Sequence, residues 1–158
     1  MVSEGVYRGR VTRWGLGKAR TGTYQLEMSV DVIEEAKDQD DLAAGYKPLT
    51  KVLKRTLFMP ITAGTKAFVL ADLAFIGFDK KTLASAYLIP GTPASFDFAG
   101  KEFPVQCKHD EYNGKTNEKW RICRRKETAS GMAREDISQF DSLFANDEDE
   151  GNSDSIPL

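Results

Sequence analysis

The most constraining feature of the chain is an unbroken alternation from Thr23 to Ile33. Tyr24, Leu26, Met28, Val30 and Val32 fall on one side, and Thr23, Gln25, Glu27, Ser29 and Asp31 on the other. A two-residue period over this length predicts a strand with one face on a core and one in water. The preceding stretch, Gly5–Trp14, sets Tyr7, Gly9 and Val11 against Arg8, Arg10, Thr12 and Trp14. Residues 15–22 (GLGKARTG) lie between the two, and their three glycines and two cations predict the loop of a hairpin.

The remaining segments extend this β pattern. Glu34–Gly45 holds five acids and one Lys and reads as an exposed loop or short helix. Lys51–Pro60 (KVLKRTLFMP) returns to strand composition. Thr62 or Thr65 then offers a helix N-cap, and Gly77 sits where a glycine would end that helix. A Gly/Pro passage at residues 90–93 precedes Phe96, Phe98 and Phe103. The last two strands, Glu102–Tyr112 and Glu118–Arg125, flank Asn113-Gly114, a strong hairpin signal. A two-residue turn pairs Tyr112 with Lys115, placing Cys107 across from Trp120 and Cys123 across from Pro104. A five-residue loop pairs Tyr112 with Glu118 and sets the two cysteines opposite each other. Both registers stay open. The order is strand, strand, strand, helix, strand, strand: an all-β fold with one helix. It matches a five-stranded OB-like barrel over residues 3–127, with a split sandwich as the competing architecture.

Length and composition agree with one compact domain and a short appendage. The chain has 158 residues, 41% hydrophobic and 29% charged, enough to bury a real core in a soluble protein. No apolar run reaches the roughly 18 residues of a membrane span. No basic and apolar leader opens the sequence, and the expected location is cytoplasmic. The net charge of −2 conceals a division. Residues 1–127 carry 21 Lys and Arg against 16 acids, or +5; residues 128–158 carry Arg134 against eight acids, or −7. Within this second part, Thr128–Gly131 is a small-residue linker. Ala133, Ile137, Phe140 and Phe144 then form one helical stripe. Residues 146–155 (NDEDEGNSDS) are expected to be disordered.

The basic body is a candidate surface for a polyanion. Arg8, Arg10, Arg13, Lys18 and Arg20 crowd the first hairpin, and Lys108, Lys115, Lys119 and Arg121 the last. In an OB-like barrel these hairpin loops flank one binding face. Cations would neutralise phosphates while flat rings stack on bases. Alternation assigns Tyr7, Tyr24 and Trp120 to the core. It puts Trp14 beside Arg8 and Arg10 as the favoured stacking ring, with Tyr112 second, and it leaves Phe58 undecided.

The C-terminus carries a resemblance. Acidic residues ending in Asp154-Ser155-Ile156-Pro157-Leu158 resemble the tips of bacterial and phage single-stranded DNA-binding proteins of the OB-fold class. Ser155 stands where those tips carry an acid, and Leu158 where they carry Phe. The resemblance implies weakly sequence-specific binding of single-stranded DNA during replication, recombination or repair. It also implies recruitment of partner proteins through Asp154, Ile156, Pro157 and Leu158. Two apolar side chains and a free carboxylate suit a small hydrophobic pocket rimmed by Arg or Lys.

Catalytic and cofactor signatures do not occur. Gly15-Leu16-Gly17 lacks the rest of a phosphate loop. His109 is the sole histidine and no C-x-x-C exists, so no metal site is expected. Asp38, Asp40 and Asp41 lack the glycine and closing Glu of a calcium loop. The expectation is a non-enzyme without cofactor or membrane association, with self-association left open. The competing function is a protein-interaction module using a sheet edge and the Ile137/Phe140/Phe144 stripe, with no nucleic-acid role.

Overall fold

The computed structural model describes residues 1–125. Five strands form one sheet: β1 (Gly5–Lys18), β2 (Tyr24–Ala36), β3 (Tyr46–Pro60), β4 (Glu102–Tyr112) and β5 (Lys115–Ile122). Their hydrogen-bonded order is β3-β2-β1-β4-β5, and every ladder is antiparallel. β5 comes back beside β3, so the sheet curls into a nearly closed five-stranded barrel of OB type. Helix α1 (Lys66–Phe75) lies between β3 and β4, as the sequence predicts, and a second short helix, α2 (Ser85–Leu88), was not anticipated.

The alternation of β2 is realised as read: Leu26, Met28, Val30 and Val32 are buried. Tyr24 departs from it. It stands at the first position of β2, beside the β1–β2 turn and beyond the core, and is 62% exposed. The first hairpin also turns later than expected. β1 continues through Gly15 and Gly17, and the turn is confined to the residues between Lys18 and Tyr24, where the Ala19 amide donates to the Thr23 carbonyl at 2.8 Å.

Helix α1 opens on a reciprocal pair. The Thr65 amide donates to Thr62 Oγ1 at 3.2 Å, and the Thr62 amide to Thr65 Oγ1 at 2.9 Å. It closes at Gly77, whose φ of +106° suits a residue without Cβ. There the Phe78 amide donates to the Leu73 carbonyl and the Gly77 amide to that of Ala74. Phe78 and Leu73 meet in the core, joined by Val69 and Ile76. The segment leading to β4 adds Phe98, fully buried and stacked on Phe78 with centroids 5.8 Å apart. Burying such a ring contributes about 2–3 kcal/mol.

The last hairpin settles the open register. Asn113 and Gly114 form a two-residue turn with φ of 53° and 75°, both in the left-handed region that a type I′ turn needs. Tyr112 pairs with Lys115 and Cys107 with Trp120, while the Cys123 amide bonds the Pro104 carbonyl. The cysteines are therefore apart; both are free and buried. Burial first, and then the charge of Glu118, push the Cys107 thiol up to about 11, which keeps it protonated and unreactive.

No ladder joins β3 to β5. The seam is held by side chains instead. Arg55 occupies a position in register with buried Val30, and its Nε reaches Glu118 Oε1 at 2.8 Å. Its guanidinium lies 5.9 Å from the Trp120 ring centroid. Glu118 also accepts from Trp120 Nε1 at 2.9 Å and from the Val2 amide at 2.7 Å. Burial alone would raise the Glu118 carboxyl, but these three hydrogen bonds and the Arg55 charge outweigh it and bring it down to about 2. A carboxyl depressed on folding contributes stability that is complete above its unfolded value of 4.5 and lost as pH falls toward 2. Glu118→Gln should cost about 2 kcal/mol at neutral pH. In urea unfolding from neutral pH downward, the gap from wild type should close between pH 4.5 and about 2.

Candidate nucleic-acid interface

The closure at Arg55 and the tight Asn113-Gly114 turn bring the β4–β5 hairpin against the end of β3. A groove of about 490 Å³ forms there, lined by Thr56, Phe58, Asp110, Tyr112 and residues 117–120. Phe58 is 56% exposed and Tyr112 70%, so the groove presents two open rings. Thr56 is shared with a polar depression of about 470 Å³, whose walls include Arg13, Ser29, Lys54 and Arg55. Sheet register explains the adjacency. Arg13, Ser29 and Thr56 form one row across β1, β2 and β3, and Gly15, Glu27 and Phe58 form the next.

Among the sequence-predicted residues, Arg13, Tyr112 and Lys119 are brought to this surface, with Lys115 paired to Tyr112 at the turn. Lys18 and Arg20 belong to the β1–β2 end. Lys18 Nζ lies 5.0 Å from the ring centroid of Tyr24, which alternation assigns to the core but which is exposed, and the two form a cation–aromatic pair. Four others lie elsewhere. Arg8 and Arg10 face Glu102 of β4 at 3.3 and 3.5 Å, and Arg8 also sits over Tyr46. Lys108 lines a separate hollow with Glu4, Gln39 and Arg125. Arg121 acts on Asp72 of α1. Burial raises that carboxyl, while the charges of Arg124, at 2.8 Å, and of Arg121 oppose the rise.

Trp14 is a correction with a clear cause. The register of β1 shifts between Val11 and Arg13, inserting a residue into one strand of the pair. At this point β1 loses its ladder with β4, which ends at Arg10 opposite Glu102, and Val11 bonds Gly100 and Lys101 instead. Thr12 and Arg13 both end up exposed, and the phase reverses beyond them. Trp14 then stands opposite buried Met28, half-buried, with its ring edge-on to Phe98 at 5.4 Å. It is a packing residue and leaves the open rings to Phe58 and Tyr112. Phe58, undecided in the sequence because Leu57-Phe58-Met59 shows no alternation, proves exposed. The usable signal was across the sheet, in Glu27 on the wet face of β2.

Ion pairing divides the cations further. Lys54 is engaged by Asp31 at 3.3 Å and Lys119 by Asp110 at 3.1 Å. Arg13, Lys18, Arg20 and Lys115 form no ion pair among the described residues, and their charge is available to an incoming anion. Asp154, Ile156, Pro157 and Leu158, with all of 126–158, lie outside the described residues. Among the described residues no helix is long and apolar enough to cross a membrane. No group of three His, Cys, Asp or Glu is placed to hold a metal there either. No known family model matches the chain, and no curated protein matches it. Because Trp14 packs on Phe98, Trp14→Ala should lower stability by about 2 kcal/mol, read as a lower thermal midpoint.

Proposed function

We propose that the chain is a non-enzymatic single-stranded DNA-binding protein of the cytoplasm, acting in replication, recombination or repair. One observation carries this reading: two open rings, Phe58 and Tyr112, line one groove, with cations that form no ion pair among the described residues at Arg13 in the adjoining depression and at Lys115 beside Tyr112. Rings stack on any base and cations neutralise phosphates, so such a groove takes single strands with little regard to sequence. A duplex hides the faces of its bases and offers the rings nothing. The fold adds to the reading, since OB-type barrels commonly hold single strands on the strand 2–3 face between these loops. The acidic tip ending Asp154-Ser155-Ile156-Pro157-Leu158 is proposed to recruit replication or repair proteins to the coated strand.

The test is a binding titration with a mixed-sequence single strand, its duplex and a salt series. Phe58→Ala and Tyr112→Ala should each weaken single-strand binding by about 1–3 kcal/mol. Arg13→Ala should lower the salt slope by about 0.7, and Arg10→Ala, whose cation already faces Glu102, should leave it unchanged. Deleting residues 147–158 should leave DNA affinity unchanged or raise it while abolishing pull-down of replication or repair proteins. Equal affinity for single and double strands, or no binding at low salt, rejects the proposal; the latter favours a protein-only role.

A further inference from the structure

The row that holds Phe58 contains an acid that the cation-rich face does not neutralise. Glu27 is the cross-strand partner of Phe58, so their side chains leave the sheet side by side. The neighbouring acid on β2, Asp31, is held by Lys54, and Asp110 across the groove is held by Lys119. Glu27 has no cation partner among the described residues. A carboxylate left uncompensated on a phosphate-binding face works against affinity, which calls for a reason in what it can recognise.

The carboxylate is held, not loose. Its Oε2 accepts from Nε2 of Gln25 at 2.8 Å, and Gln25 is itself buried. Its other neighbours in the sheet are glycines. The carboxylate lies across Gly17, where any Cβ would collide with it, and nothing stands within 4 Å of where a Cβ on Gly15 would be. Glycine inside a strand marks a place where a ligand can come close to the sheet. Gly15, Glu27 and Phe58 thus form one cross-strand row with open floor at Gly15, an aromatic ring at Phe58 and the carboxylate leaning over neighbouring Gly17, which leaves room for one flat ring with a hydrogen-bond donor on its edge.

We propose that Glu27 selects the base stacked on Phe58 by accepting a hydrogen bond from an exocyclic amine, so that the groove favours amine-bearing bases over thymine. This inference rests on reading the groove as a single-strand site. Cytosine offers its N4 amine to an acidic side chain. Thymine offers only N3–H, set between two carbonyl oxygens whose lone pairs repel a carboxylate. Guanine and adenine also carry edge amines, but cytosine gives the cleanest comparison with thymine because both are single-ring pyrimidines.

The experiment compares oligo(dC) with oligo(dT) of equal length at pH 8 and fixed salt, using the full chain and its Glu27→Gln and Phe58→Ala variants. Wild type should bind oligo(dC) about fivefold more tightly than oligo(dT). Glu27→Gln keeps the shape but can both donate and accept, so the ratio should fall toward one while overall affinity rises with the lost negative charge. Phe58→Ala should weaken both oligonucleotides and also erase the ratio, because the selected base loses its seat. A wild-type ratio at or below one overturns the inference and leaves the single-strand reading standing, as does a ratio that Glu27→Gln does not change. Failure of wild type to bind either oligonucleotide removes the single-strand reading, and this inference with it.

Discussion

Closure of the barrel depends on the Arg55–Glu118 contact. Strands β3 and β5 share no ladder, so nothing periodic joins them, and a guanidinium at a core-phase position would be costly without a partner. Glu118 supplies that partner and is itself saturated by donors from Trp120, Val2 and Arg55. Three parts of the chain distant in sequence thus converge on one carboxylate. The consequence for the surface is direct. The contact pins β5 to β3 just before Thr56 and Phe58, and this sets the hairpin tip where Tyr112 faces Phe58 across the groove.

Much of this architecture is legible in the sequence because it rests on local signals. The period of β2 from Leu26 to Val32, the Thr62/Thr65 helix start, the Gly77 stop and the hairpin signal at Asn113-Gly114 each act within a few residues, and each is found where the sequence places it, the hairpin in one of its two open registers. The site was less legible for the same reason. Trp14 was misassigned because a bulge depends on where β4 stops pairing with β1, which no window on β1 reveals. Phe58 was undecided because its exposure is set by its partners across the sheet. Tyr24 was misassigned because a strand's alternation runs on past the edge of the core it packs against. Nothing in the Lys51–Pro60 segment singles out Arg55, because its role comes from a seam that exists only when the sheet has curled.

The charge division also takes a finer form. A balance of +5 for residues 1–127 counts Arg8, Arg10 and Lys119 equally with Arg13, Lys18 and Lys115. The first three lean on Glu102 or Asp110, and the second three do not. Partnered surface charges contribute little field at a distance, so the cations that meet a polyanion are fewer than the count implies.

The bulge in β1 has a consequence for how this strand can vary. Because of it, Arg10 and Arg13 share the outer surface although an odd number of positions separates them, while Val11 and Trp14 share the inner one. The strand therefore has two halves of opposite parity joined at Thr12. Loss of that single residue would give a regular strand in which Val11 still faces Val30 and Arg13 still faces Ser29, so the arginine side and the tryptophan side would both be kept. The bulge is therefore the place where β1 can shorten by one residue, whereas the same change elsewhere in the strand inverts the contacts beyond it.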